Sequence, residues 1–243
     1  MDARIGVNLI ARHPNGRRDA PRIVIGAHYD TWPGTPGADD NASGIAGLVE
    51  LAQVLHDQPV ASRLELVAFD LEESSGDSAG SGAYVASLVG QHEPLEVALI
   101  LEMIGYRCAV PGCQTPLAAV PGCLEVGVPD VGLGTYVAAV GNPPARRWVR
   151  ALAGVDGAEY ASDGFFVNPI VVADDGRCFP HARRSDNAAF WDARLPAVMI
   201  VDTADFRNPH FHRPSDRPGT LDDDFLADVV RVVVTAVASP PEA

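Results

Sequence analysis

Short apolar runs alternate along this chain with stretches of helical periodicity. Arg22 to Ala27 (R-I-V-I-G-A) reads as a buried strand ending at His28, and Arg63 to Phe69 (R-L-E-L-V-A-F) as a second ending at Asp70. Glu96 to Leu101 (E-V-A-L-I-L) gives a third, ending at Glu102, and Tyr136 to Val140 and Ala197 to Val201 supply two more. Between them, Ser43 to Leu55 sets Ile45, Leu48, Val49, Leu51 and Leu55 at helical spacing, with Ser43 suited to the N-cap. Gly82 to Val89, Pro143 to Ala153 and Leu221 to Ala238 read as further helices, the last opening on an acidic turn that suits the helix dipole. Strand and helix in alternation predict an α/β fold: a three-layer sandwich whose mostly parallel central sheet is covered by helices on both faces. No internal repeat or linker divides the chain, so residues 1–243 are expected to form a single domain. The Pro-, Gly- and Cys-rich stretch from Tyr106 to Gly134 is too long for a plain connector; such stretches are functional walls or lids, or disordered, and a contribution to the pocket wall is expected.

Ligands of such sheets bind at the carboxyl ends of the strands. Here three successive strands end in residues of metal-ligand type. His28 and Asp30 stand two apart in H-Y-D, on one side of an extended chain, so the Asp30 carboxylate can accept a hydrogen bond from the imidazole and select the nitrogen that faces a metal. Alone that signal is weak, since a single strand-end His is more often structural. Glu72 and Glu73 follow Asp70 in F-D-L-E-E-S-S-G. Adjacent carboxylates there are costly unless solvated or neutralised. With a cation nearby, one can bind it while the other moves protons. Glu102 follows V-A-L-I-L, is expected to be buried, and therefore needs a partner. Asp39, Asp40 and Asn41 in G-A-D-D-N-A-S-G need no function, because acids at a helix start satisfy its exposed N–H groups. Asn41-Ala42-Ser43 is also formally a glycosylation sequon, at a position that argues against its use. His210 and His212 sit in N-P-H-F-H-R-P-S-D, where either is a possible ligand and each alone reads as a surface residue.

Composition narrows the field. With 32 acids against 18 Lys and Arg, the net charge of −14 argues against nucleic acid, whose phosphates call for a basic stripe. No apolar run approaches the roughly 18 residues of a membrane-spanning helix, and no secretion leader is visible. Neither membrane nor nucleic acid is therefore expected as a partner, while compartment and oligomeric state stay open. Cys108, Cys113, Cys123 and Cys178 form no C-x-x-C pair, which speaks against a structural zinc knuckle and leaves disulfides and free thiols equally open.

Taken in order, H-Y-D-T, G-A-D-D-N-A-S-G, F-D-L-E-E, L-E-M-I-G-Y, S-D-N-A-A-F-W and H-F-H-R-P-S-D resemble the motifs of the zinc aminopeptidase family of metallopeptidase clan MH, which also includes glutamate carboxypeptidases and glutaminyl cyclases. The resemblance spans almost the whole chain, from about Asn8 to the helix near Ala238. It implies a phosphorylase/hydrolase-like zinc exopeptidase fold and two Zn2+ ions per chain, acting on a peptide with a free N-terminus. His28 and Glu102 would bind one ion, Glu73 and His212 the other, and Asp40 both. Glu72 would be the general base, with Asp30 beside it in the catalytic apparatus. The family also implies a cis peptide at Asp40-Asn41.

Four departures qualify the likeness. Many members have Asp where Glu102 stands, and some have Tyr where Phe211 offers no hydrogen bond, so the developing oxyanion must rest on zinc or on another donor. A His of many relatives is Asn187 here. Relatives also usually carry extra N-terminal elements, so the chain reads as a fragment or a reduced version. Asp186 and Phe211 are the candidate substrate contacts, Asp186 for the ammonium group. A carboxypeptidase, a single-zinc glutaminyl cyclase and a non-catalytic scaffold of the same fold remain alternatives to the aminopeptidase.

Overall fold

The computed structural model describes residues 5–17, 19–58, 60, 62–73, 78–116, 121–125, 132–155 and 164–242. Seven strands form one sheet: β1 (Leu9–Arg12), β2 (Arg22–His28), β3 (Arg63–Phe69), β4 (Leu95–Glu102), β5 (Tyr136–Gly141), β6 (Phe166–Val171) and β7 (Ala197–Val201), in the spatial order β1-β3-β2-β4-β7-β5-β6. The central neighbours β3, β2, β4 and β7 all run parallel, so their carboxyl ends share one rim. At the two sides β1 pairs antiparallel with β3, and β5 antiparallel with β7, while β6 runs parallel to β5.

Among the described residues five α-helices flank the sheet: α1 (Gly44–Leu55), α2 (Ala79–Gly90), α3 (Arg146–Ala153), α4 (Asn187–Asp192) and α5 (Asp223–Ala238). Strand residues alternate between the two faces. Ile23, Ile25 and Ala27 of β2, with Val97, Leu99 and Leu101 of β4, pack under α1, α3 and α5 against Leu51, Trp148 and Val229. Val24, Ala98 and Ile100 face the other way, toward Tyr84 and Leu88 of α2 and Phe190 and Trp191 of α4. Both faces being covered, every residue of β2 is buried. Each such fully buried large apolar side chain contributes about 1.5–3 kcal/mol. The two buried indoles keep their N–H groups bonded, Trp148 to Glu96 Oε1 at 2.9 Å and Trp191 to the Ala197 carbonyl at 3.0 Å. The expected three-layer sandwich is therefore the observed fold.

Several local readings need correction. Ser43 does not cap α1. Its own backbone is already helical (φ −62°, ψ −44°), and its hydroxyl instead donates to the Asp39 carbonyl at 2.7 Å and accepts from Ile104 N–H at 3.0 Å. Asn41 Oδ1 takes the Gly44 N–H at 3.2 Å in its place. The third helix starts at Arg146 rather than Pro143, because the two prolines form a tight turn ahead of it. The last helix starts at Asp223, where the Asp222 carboxylate accepts the Phe225 N–H at 3.0 Å. β1, β6 and α4 have no counterpart in the sequence reading.

The four cysteines are paired, Cys108 with Cys113 and Cys123 with Cys178. The described part of the Tyr106–Gly134 stretch is further pinned by Cys108 and Gly134, which exchange backbone hydrogen bonds at 2.9 and 2.7 Å. Among the described residues no helix is long and apolar enough to cross a membrane.

Candidate metal centre

The shared rim of the parallel strands gathers the acids and imidazoles. His28 closes β2, Glu72 and Glu73 lie just past β3, and Glu102 closes β4. His28 Nε2 is 3.4 Å from Asp40 Oδ1 and 3.4 Å from Glu102 Oε2. His212 Nε2 is 3.0 Å from Asp40 Oδ2 and 3.0 Å from Glu73 Oε1. Two donor groups result, His28–Asp40–Glu102 and Asp40–Glu73–His212, the donor atoms of each lying within 4.8 Å of one another. Asp40 belongs to both, through a different oxygen to each imidazole.

The turn that carries Asp40 is fixed from three sides. Asp216 accepts the backbone N–H groups of Asp39 at 2.9 Å and Asp40 at 3.2 Å. The Asn41 side chain donates to the Leu101 carbonyl at 2.9 Å and accepts from Met103 N–H at 3.0 Å, tying the turn to the end of β4 beside Glu102. Gly37 turns the chain into this segment at φ +65°, where a Cβ would lie 2.2 Å from Thr31 Cγ2. The Asp40-Asn41 peptide is cis. Buried, with its amide nitrogen donating to the Leu101 carbonyl, Asn41 is closed to glycosylation.

Non-glycine residues in the left-handed region flank the cluster: Leu71 (φ 59°) before Glu72, Met103 (φ 46°) after Glu102, and His212 itself (φ 55°). Each such backbone costs of order 1–3 kcal/mol and is kept where it aims a side chain.

Asp30 does more than the sequence expectation. The imidazole Nδ1 of His28 meets the backbone carbonyl of Asp30 at 3.0 Å and lies 3.6 Å from its carboxylate. That carboxylate also accepts the N–H groups of Glu72 at 3.1 Å and Glu73 at 3.0 Å, and so sets where both glutamates stand. Asp186 is also corrected. It has no exposed surface and lies behind the cluster, so it is out of reach of a substrate ammonium group. Its neighbour Ser185, given no role by the sequence, donates from Oγ to Glu102 Oε2 at 2.6 Å. Of the two late histidines only His212 joins a donor group; His210 Nδ1 lies 3.0 Å from Ser215 Oγ. Asn187 is buried and donates to the Ala182 carbonyl at 2.8 Å. His212 is stacked between two aromatic rings, Trp32 at 4.3 Å and Phe211 at 3.8 Å between centroids. Nothing in the local sequence marks Trp32 for that contact.

So many acids in one place oppose one another. Burial, with the charge of Glu102 added, pushes Glu72 up to about 9, and burial together with Asp40 pushes Glu73 up to about 8. Burial would also raise Asp40, but hydrogen bonds from His212 and His28 hold it well below the usual carboxylate range. Burial would lower both imidazoles, and it is outweighed by Glu102 at His28 and by Asp40 at His212, so both are raised. Behind them burial pushes Asp186 up to about 7. A divalent cation relieves this crowding, and imidazole nitrogens with carboxylate oxygens are donors that suit zinc. The residues fit such an ion in both donor groups.

The cluster opens into a cleft lined by Trp32, Glu72, Glu73, Arg184, Phe211 and His212, among others. Glu102, Arg184 and Phe211 also border an adjoining apolar pocket walled by Val140, Ile170, Met199, Val201 and Phe206. The described residues of the Tyr106–Gly134 stretch line neither cavity.

This fold, a mixed sheet sandwiched by helices, matches solved aminopeptidases. The LapA aminopeptidase of Legionella pneumophila matches 97% of this chain with a TM-score of 0.67 at 20% identity, and the zinc aminopeptidase BSAP of Bacillus subtilis matches 97% with a TM-score of 0.67 at 22% identity. The chain spans only 60% and 50% of those two chains. In sequence, peptidase family M28 matches residues 8–121, and the uncharacterized protein YfbL of Escherichia coli (strain K12) is 36% identical over 240 residues, 94% of this chain and 69% of that protein. The chain belongs to peptidase family M28 and carries its metallopeptidase fold.

Proposed function

We propose that this chain is an aminopeptidase that holds two zinc ions, one between His28 and Glu102 and one between Glu73 and His212, with Asp40 shared by both. The observation that carries the proposal is the division of one carboxylate: Asp40 Oδ1 lies 3.4 Å from His28 Nε2 and Asp40 Oδ2 lies 3.0 Å from His212 Nε2. Zinc, when bound, polarises the scissile carbonyl and makes water a nucleophile at neutral pH. The chain's own residues do the rest. Glu72 takes the proton of the attacking water and passes it to the leaving amine. Asp30 fixes Glu72 and Glu73 by accepting their backbone N–H groups. The acidic cleft attracts a free ammonium group, and the apolar pocket beside Glu102 accepts the first side chain of the peptide.

Metal analysis of the purified chain is expected to find two zinc ions, with hydrolysis of aminoacyl anilides and of unblocked peptides but not of N-acetylated ones. Glu72→Gln is expected to keep both ions and lose about 10²–10⁴ of turnover. Conversion of Gln-leading peptides to pyroglutamate, release of C-terminal residues, or an E72Q protein as active as the parent would each overturn this reading in favour of cyclase, carboxypeptidase or scaffold.

A further inference from the structure

We propose that Arg184 is a catalytic residue of this site, its guanidinium donating a hydrogen bond to the scissile carbonyl oxygen as that oxygen becomes negative. The proposal rests on the aminopeptidase reading above and supplies a charged donor, which neither the proposed metal ligands nor Glu72 offers and which the Ser78 hydroxyl and Trp32 indole of the same cleft are not. Attack on a carbonyl transfers an electron pair to oxygen, and a preorganised donor aimed at that oxygen stabilises the transition state. Asp40, Glu72, Glu73 and Glu102 are acceptors when ionised, and the Nε2 atoms of His28 and His212 face those acids. The Phe211 side chain carries no polar atom.

Two arginines line the cleft. Arg183 is directed elsewhere, donating from Nη1 to the Asp175 carbonyl at 2.7 Å and from Nη2 to Asp192 Oδ1 at 2.7 Å. Arg184 is held over the ring of Phe211, with its guanidinium carbon 5.3 Å from the centroid. Phe211 stacks in turn on His212 at 3.8 Å, so the guanidinium is positioned by the same column of rings that positions this imidazole. Asp205 fixes the far side, accepting from Nη1 at 2.9 Å. A guanidinium carries five N–H donors and stays charged at any working pH, so one contact with Asp205 leaves donors for a substrate. Arg184 also borders both the acidic cleft and the apolar pocket. A peptide whose first side chain fills the apolar pocket and whose remainder runs out along the cleft brings its scissile carbonyl to that shared border.

The test uses the zinc-loaded full chain, leucine p-nitroanilide as a substrate without a carboxylate, and a leucine-leading dipeptide that has one. Arg184→Ala is expected to lower kcat on the anilide by about 10²–10³. KM and zinc content are expected to stay near those of the parent. Arg184→Lys should recover only part of the loss, since a point charge replaces a planar fork. Adding Phe211→Tyr to R184A should also restore part of it, because a phenol hydroxyl then offers a donor from the same ring. A readout independent of turnover is the calorimetric affinity of leucine phosphonic acid, whose charged oxygens imitate the oxyanion. It should weaken in R184A by the factor lost in kcat, while the affinity of leucinol, which has no carbonyl to attack, stays unchanged. Unaltered kcat on the anilide, or a loss confined to KM for the dipeptide, overturns the proposal; the second result makes Arg184 an anchor for a substrate carboxylate. If the parent protein itself turns over no anilide, the aminopeptidase reading falls. The calorimetric arm still decides the arginine, with equal phosphonate affinity in both proteins overturning its role.

Discussion

The two donor groups that share Asp40 are built from different parts of the fold. His28, Asp40 and Glu102 are all buried, and two of them end neighbouring parallel strands whose spacing the sheet dictates. Glu73 and His212 are half-buried and stand on loops, the first held through its backbone by Asp30 and the second by the rings of Trp32 and Phe211. One group is fixed by hydrogen-bond register and the other by contacts that loops can relax. On the two-zinc reading, the inner group binds its ion more tightly and exchanges it more slowly. The most severe way to break the comparison is to remove what both sides use. Asp40→Ala takes a ligand from each group, and metal content is expected to fall below one ion per chain with turnover lost. Retention of two ions by D40A, measured by plasma emission, would show that Asp40 is not shared.

The same contrast decides what was legible in the sequence. β2, β3 and β4 announced themselves because both faces of the sheet are covered, which leaves continuous apolar runs with ends readable to within a residue. β1 did not, since its four residues are all exposed and only its pairing with β3 makes it a strand. β6 was hidden by Asn168-Pro169, which an edge strand tolerates and a central one does not. α4 has six residues, too few to show a period, although it buries Phe190 and Trp191. In the cluster, the strand-end residues His28, Glu72, Glu73 and Glu102 could be read as a group. The shared position of Asp40 could not be read from local sequence, because D-D-N also describes an ordinary helix start. What fixes it is Asp216, 176 residues away, together with the grip of Asn41 on Leu101 and Met103. Ser185 and Arg184 act through contacts 83 and 27 residues distant, with Glu102 and Phe211, and no local period encodes those.

Single-ligand variants sharpen the contrast without destroying both groups. His28→Ala and His212→Ala are each expected to lower zinc content from two ions to one. The ion left in H212A should resist a chelator longer than the ion left in H28A, and competition with a chromophoric chelator reads the difference directly. Stability carries the same information. A cation that binds only the folded chain at about 100 times its dissociation constant adds about 2.7 kcal/mol, which for a domain of this size raises Tm by about 5–10 °C. Zinc added back to the chelated protein is therefore expected to raise Tm mostly with the first equivalent. Two equal increments would mean that the groups do not differ.

The finest test replaces residues that touch ligands without being ligands. Ser185 Oγ donates to Glu102 Oε2 at 2.6 Å in a buried setting, and it leaves this oxygen with one fixed direction in which to face His28. Such outer partners are typically worth about 10–100-fold in metal affinity, so Ser185→Ala should weaken the inner ion by that factor and leave the outer one unchanged. On the other side, Trp32 touches the donor groups through its stacking against His212, and the residue is 43% exposed. An aromatic contact of about 0.5–1.5 kcal/mol corresponds to about 2–10-fold, so Trp32→Ala should weaken the outer ion slightly and leave the inner one alone. The order of the two effects matters more than their size. A W32A protein that loses more affinity than S185A, or loses it at the inner group, would mean that the aromatic column organises the whole centre and that the strand ends merely follow it.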